Sequence, residues 1–504
     1  MKQRKFFQVN STETPHQKDL KHVAVGGLVN MLNVLGALAV PALHALIVWA
    51  FGPVIYGLYA VGTTCAEVGS KLATLGSDKG LLRAIPAQKI SGKENEVSDS
   101  LWTAFISVSL TSVVLGLLMF FLAERLSPLF GGNDYSEAIA WMSPVLGLIA
   151  LTNVFVSATL AAKLVRFNLL VRGFAQPFLL ILLAAIFSLK PSLQSLMMGV
   201  VIAFFLTALI GAWTIFKVFK KTKRFQFQKD LIKFSFPLGI SEFLNIMLHR
   251  ASLLILAFYV SPLEMAAYAA CEMLVRAVAG VRNAFDPILS PVISEALQEN
   301  DFQRVEYNLK LTTRWVIALA VPVISAFVFF GREILEVIDP QFKSAALILS
   351  ALSFGYALNS TLGLNGWVLT MAGHSWLLLI NNGISALTNV VLALILIPRY
   401  GILGGAIATS VGVIVMVVLV FIQVAWMKKI QPLSWASARI ILVGALSLIL
   451  LLWLSPQLPE NGLMRIFLGM TFFFIAYLIL WRLLAFEKED QHLLGKILKR
   501  SASK

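Results

Sequence analysis

Eight ionisable side chains stand inside otherwise apolar stretches of this sequence: Glu67, Lys71, Glu242, Arg250, Glu272, Arg276, Arg282 and Asp286. Each such charge near the centre of a bilayer costs about 2.5–3.5 kcal/mol, so eight of them facing lipid would cost about 20–28 kcal/mol. That exceeds the whole stability of a typical folded domain, about 5–15 kcal/mol. These groups must face protein or water. Glu67–Lys71, Glu272–Arg276 and Arg282–Asp286 are each spaced four apart, which puts both partners on one helix face. Two readings are open. The pairs neutralise one another so that their helices can insert, or they line a hydrated cavity and serve there as substrate cations (Lys71, Arg250, Arg276, Arg282) and ion-coupling carboxylates (Glu67, Glu242, Glu272, Asp286). Recurrence in the second and eighth apolar stretches favours the cavity, as does a face of Glu242, Asn245 and His249 on the seventh. Arg250 has no carboxylate three or four residues away, so it is either the best single substrate cation or a side chain snorkelling to the outer surface. Cations and anions balance within the set, so the set by itself does not specify an anionic ligand.

The first apolar stretch adds Asn30, Asn33, Pro41 and His44 on one stripe at helical spacing. Asn33 and His44 are cavity candidates, although buried asparagines also bond neighbouring helices and a single histidine is as well explained by a structural hydrogen bond. Asp78 and Arg83, just after the second stretch, are either site residues or fixings for the end of that helix. Other chemistry is missing from the pattern. There is no GxxxxGK[ST], GxSxG or HExxH. Cys65 and Cys271 form neither a CxxC nor a Cys/His cluster. No enzyme, metal or cofactor is expected, apart from coupling to H+ or Na+.

The elements that hold these residues are long and apolar. Of 504 residues, 58% are hydrophobic and only 13% charged, with mean hydropathy +0.82. Soluble domains carry about 25% charged residues, so a single soluble enzyme and a disordered chain are both excluded. Runs of about 20 apolar residues give fourteen candidate spans. The net charge of +15 raises the question of nucleic acid, but the cations answer it by position. With both termini inside, about 30 of the 41 Lys and Arg fall on inner segments and 6 on outer loops. Arg172 counts among the inner ones, after Lys163 and Arg166. The charge is an orientation signal, and no nucleic-acid partner is expected.

A weak internal repeat divides the spans. Pro53 and Tyr59 in FGPVIYGLYA recur as Pro262 and Tyr268 in VSPLEMAAYA, 209 residues on, and the same offset carries Arg172 to Asn381. The expected organisation is a cytoplasmic segment 1–22, an N-lobe 23–217 of six helices, a basic linker 218–233, a C-lobe 234–427 of six helices in parallel pseudo-repeat, two extra helices in 428–484 and a cytoplasmic tail 485–504. The fold class is an all-α integral membrane protein.

Five stretches in order resemble the polysaccharide exporter and O-antigen (Wzx-type) flippase branch of the MOP superfamily: FGPVIYGLYA at 51–60, LGSDKGLLR at 75–83, HRASLLILAFYVSPLEMAAY at 249–268, PILSPVISE at 287–295 and IPRYGILGGAIAT at 397–409. Ser252 stands where the family tends to have Asp. The resemblance implies a two-lobed bundle around a central cavity in a bacterial inner membrane. It implies alternating-access translocation of a lipid-linked oligosaccharide on undecaprenyl diphosphate, with membrane lipids and glycan-assembly proteins as partners. A cation-coupled multidrug antiporter is the alternative within the superfamily. A glycan polymerase would need a large basic outer loop, which is absent from the sequence.

Overall fold

A computed structural model describes residues 39–90, 94–126, 135–162, 164–219, 225–487 and 489–490. Every regular element among them is helical. The first half contains α1 (Ala39–Phe51), α2 (Pro53–Thr74), α3 (Ser77–Ile90), α4 (Glu94–Leu126), α5 (Tyr135–Ala161), α6 (Arg166–Phe187) and α7 (Leu193–Val218). The second contains α8 (Lys229–Leu256), α9 (Pro262–Gln298), α10 (Phe302–Phe329), α11 (Gly331–Ile338), α12 (Ala346–Leu362), α13 (Asn365–Met371) and α14 (Ser375–Lys428). Helices α15 (Trp435–Leu454) and α16 (Gly462–Leu480) follow. The N-terminal segment and Asn33 lie outside the described residues.

Ten helices among the described residues are long and apolar enough to cross a membrane. Helices α2 and α9, which carry six of the eight interior charges, are not in that set. The expected spans 376–397 and 402–427 emerge as one element, α14. A straight helix of 54 residues would run about 81 Å, more than twice a bilayer core of about 30 Å. Gly401, at φ +54° and ψ −132°, breaks it three residues after Pro398, in a conformation that only glycine adopts cheaply. The expected span 344–371 is likewise interrupted, between α12 and α13. Outward-facing Trp49, Leu110, Phe121, Leu387 and Trp453 are more than half exposed, an apolar surface that water would not tolerate and lipid does.

The repeat is visible at the helix starts. Pro53 and Pro262 each occupy the first turn, where a missing N–H costs nothing. Before Pro262, Ser261 and Glu264 close a capping box, with the Ser261 amide donating to Glu264 Oε2 at 3.0 Å. In the first half α5 packs on α2, α4 and α7; in the second α14 packs on α8 and α12. Helices α15 and α16 cover α10, where Tyr477 donates to the Ala318 carbonyl at 2.9 Å.

The two halves meet along α2, which lies against both α8 and α9. Two glycine contacts close this seam at its ends. Near the start of α2, Gly57 lies against the Pro262 carbonyl and the Ala266 amide of α9, too close for any Cβ. At its end the chain turns through Leu75 and Gly76, at φ 47° and 72°, and these residues press on the backbone of Gly239 in α8. Trp49 adds a further tie between the halves, donating from Nε1 to the Ile338 carbonyl at 2.9 Å.

Candidate functional site

Between these two closed ends the interior charges meet. Arg250 on α8 reaches Glu67 on α2 through Nη2 at 2.5 Å and Glu272 on α9 through Nη1 at 2.6 Å. Arg276 shares the same Glu272 oxygen at 3.2 Å. One turn along α2, Lys71 turns to Glu242 on α8 at 3.2 Å, and Lys79 on α3 takes the other Glu242 oxygen at 3.4 Å. The expected Glu67–Lys71 pair does not form, because each partner reaches an opposite charge across the seam instead. Arg250 is neither a bare cation nor snorkelling: it is buried between two carboxylates. Of the cluster's guanidinium groups, Arg276 is the open one, with 43% of its side chain exposed against 10% for Arg250.

The remaining candidates are distributed elsewhere. Arg282 bonds Asp286 at 3.6 Å and the Asn359 side chain at 2.9 Å, and Trp367 donates to Asp286 at 2.8 Å. Those partners belong to α9, α12 and α13, so this pair knits the second half together and stays out of the seam cluster. Arg83 lies over the Phe234 ring at 4.2 Å, a cation–π contact that ties α3 to α8. Asp78 is buried in the first turn of α3. His44 contacts the Tyr56 hydroxyl at 2.8 Å through Nδ1, and His249 faces Tyr356 at 3.4 Å. Ser252, at the family's Asp position, donates to Asn389 Oδ1 at 2.6 Å, so a neutral hydrogen bond joins α8 to α14 there.

Glu242 illustrates how little a half-exposed pair contributes. Its side chain is 32% exposed and its two lysines 25% and 43%, a setting worth about 0–1 kcal/mol per pair. Glu242→Gln is therefore expected to lower the thermal unfolding midpoint only slightly, as read by a melting scan of the purified protein.

Two cavities open on the cluster. The smaller, of about 230 Å³, has Glu67, Arg250, Glu272 and Arg276 in its wall together with His44 and Tyr59. The larger, of about 620 Å³, shares Val40, Leu43, Glu67, Gln176 and Phe204 with it and extends into the first half between α1, α5 and α6. Its volume suits a ligand of small-molecule size. Its polar lining comes from Thr152, Asn153, Asn168, Arg172 and Gln176. Arg172 was expected among the inner-segment cations. Instead it sits within α6 and donates to Asn153 Oδ1 of α5. A π-helical stretch, Leu169–Ala175, carries it. Such stretches widen the helix locally and are frequent at functional sites. Among the described residues Arg172 makes no ion pair, so an exposed guanidinium faces this cavity with the Asn153 amide as its hydrogen-bond partner. Sequence reasoning missed it because two cations precede it. The available signal was the repeat, since Asn381, its counterpart, is a polar residue within a helix, buried and paired to Gln423 at 2.7 Å.

Residues 20–297 match the family described as Polysaccharide biosynthesis protein. An uncharacterised membrane protein of Methanocaldococcus jannaschii is 24% identical over 466 residues, covering 84% of this chain and 88% of its own. The fold resembles that of the lipid II flippase MurJ in an inward closed conformation, at a TM-score of 0.70 and 16% identity over 90% of this chain and 99% of that one. It also resembles a multidrug resistance MATE family transporter of the MOP superfamily in an inward-facing conformation, at a TM-score of 0.65 and 15% identity over 81% and 98% of the two chains. At such identities the likeness is one of fold.

Proposed function

The chain belongs to the polysaccharide biosynthesis protein family, and from that premise we propose that it moves a lipid-linked oligosaccharide, a glycan on a polyprenyl diphosphate, from the inner to the outer leaflet of a cell membrane. Both termini lie inside, and residues 23–217 and 234–427 act as two lobes that rock about α2. The single observation that carries this reading is the Arg172 guanidinium, exposed in the wall of a cavity of about 620 Å³ with an amide as its hydrogen-bond partner, where that cavity runs on to the open guanidinium of Arg276. A guanidinium whose hydrogen-bond partner is one amide oxygen keeps donors free for an arriving phosphate, which guanidinium groups bind in bidentate fashion. The glycan would occupy the hydrated space, and the polyprenyl chain would stay in lipid.

Coupling follows from the same seam. Glu67 touches both cavities and holds Arg250 across the halves. Taking up a proton on Glu67, or a sodium ion beside it, would withdraw its charge from Arg250 and loosen the two halves. Glu242 and its two lysines would act in the same way nearer the inner contact. The paired Arg282 and Asp286 would then be structural.

Deletion of the gene is expected to accumulate lipid-linked glycan on the inner leaflet. Complementation with Arg172→Ala should restore translocation about tenfold to a hundredfold less well than the unaltered chain, the worth of one charge-assisted bond of about 1.5–3 kcal/mol. Arg172→Lys should recover part of it. Normal surface glycan in the deletion strain, with raised drug susceptibility, would instead identify the multidrug antiporter.

A further inference from the structure

Glu67 and Gln176 are the polar residues common to both seam cavities, and Leu43, Leu180 and Phe204 are among the apolar ones. The shared wall forms a collar between two chambers. On one side lies the Arg172 chamber of about 620 Å³, on the other the Arg276 chamber of about 230 Å³. Neither polar group of the collar is fully engaged. The half-buried Gln176 side chain makes no hydrogen bond among the described residues. Glu67 gives Oε2 to Arg250 at 2.5 Å and leaves Oε1 unbonded among the described residues, with 37% of the side chain exposed.

Gln176 belongs to a polar line on α6. Asn168, Arg172 and Gln176 stand at intervals of four, and all three line the larger cavity. Gln176 is the first residue after the π-helical stretch Leu169–Ala175 that carries Arg172. Pro177 follows, with no amide N–H to close the preceding turn. A guanidinium and an amide are thereby presented one turn apart on the same wall. These groups differ in what they can bind. A diphosphate only accepts hydrogen bonds and a guanidinium only donates them. The Gln176 amide both donates and accepts, and an ionised Glu67 only accepts. The collar thus carries acceptors that a phosphate leaves unused and a hydroxyl group satisfies. A carboxylate on the ligand would meet Glu67, and like charges repel strongly in a partly dry site.

We propose that the collar reads the sugar bonded directly to the diphosphate, and that this sugar is uncharged, its hydroxyl groups bonded to the Gln176 amide and to Glu67 Oε1. The inference rests on the flippase reading and deepens it. Arg172 takes phosphate, and Gln176, one turn further along α6, is a specificity-determining residue for the first sugar. The rest of the glycan extends toward the Arg276 chamber.

Equilibrium binding to the purified full chain in detergent, followed by native mass spectrometry, tests this with undecaprenyl diphosphate, its glucosyl form and its glucuronosyl form. Q176L should weaken the glucosyl form about tenfold, the worth of one or two neutral hydrogen bonds. It should shift the bare carrier by less than about twofold, as expected for a site that carrier does not touch. R172A should weaken both. In the unaltered chain the glucuronosyl form, which carries a carboxylate in place of the hydroxymethyl group, should bind about tenfold less tightly than the glucosyl form. Retained binding of the bare carrier shows that Q176L is folded, and Q176N, with its amide one carbon shorter, should repeat the selective loss. An equal loss for the two carriers in Q176L and Q176N, or no loss, overturns the inference while the R172A result still supports the flippase reading. So does a glucuronosyl form bound as tightly as the glucosyl one. A bare carrier that R172A leaves unaffected overturns the flippase reading, and this inference with it.

Discussion

Arg250→Met is expected to lower the stability of the purified protein by about 3–5 kcal/mol, the largest effect of any single substitution in the seam. Among the described residues, Arg250 alone pairs with both Glu67 in the first half and Glu272 in the second. Glu272 is almost fully buried, with 2% of its side chain exposed, and after the substitution Arg276 alone would face it. Glu67 would lose its ion pair and keep only the longer-range influence of Arg276. Methionine fills most of the volume, so the loss comes from stranded charge and not from a void. A sharper consequence follows. Adding Glu67→Gln and Glu272→Gln to Arg250→Met removes both stranded charges, and the triple variant should recover a large part of the loss, because deleting a whole buried ion set is far cheaper than deleting half of it. Cys65 and Cys271 provide the readout. Cys271 is buried and Cys65 half-buried, so a thiol-reactive dye reports unfolding during a thermal ramp. A triple variant no more stable than the single one would show that the ionic bridge is not what holds the seam.

The fold class was legible because its signal is compositional. Apolar runs and cation placement do not depend on which helix touches which. The recurrence of Pro53 and Tyr59 as Pro262 and Tyr268 was legible too, and both prolines fall in the first turn of a helix. Span boundaries were less so. Gly401 divides α14 by a backbone angle, which hydropathy does not sense. In the site, the residue types in the seam were found and their partners were not. Spacing of four makes Glu67 and Lys71 neighbours on a helix, but the opposite charge that each reaches lies across the seam, on Arg250 and Glu242. Spacing did hold for Glu272–Arg276 and Arg282–Asp286, the two pairs that stay on one helix. Arg172 was hidden for a related reason. A cation that follows Lys163 and Arg166 reads as the edge of a loop, and only the turn of α6 against α5 reveals that it points inward.

The second large effect concerns the two glycine contacts that close the seam. A Cβ on Gly57 would fall on the carbonyl oxygen of Pro262 and within 3.2 Å of the Ala266 amide. A Cβ on Gly239 would stand 2.7 Å from both the Gly76 amide nitrogen and the Leu75 carbonyl carbon. In each case the obstacle is backbone, which has no rotamer to swing aside, so the helices themselves must part. Gly57→Leu is therefore expected to separate the outer ends of α2 and α9 and leave the inner contact closed. Gly239→Leu should do the reverse. Pairs of spin labels measure this: Val54→Cys with Val337→Cys across the outer end, and Leu82→Cys with Phe236→Cys across the inner end, all at exposed positions, with Cys65 and Cys271 replaced by Ala. Gly57→Leu should add a longer-distance population to the outer pair only, and Gly239→Leu to the inner pair only. Opposite responses are what a seam pivoting about the Glu67–Arg250–Glu272 bridge requires, since that bridge lies between the two contacts. Lengthening of both pairs by either variant would mean that the halves come apart as a whole, and the bridge would then be a clamp and not a pivot.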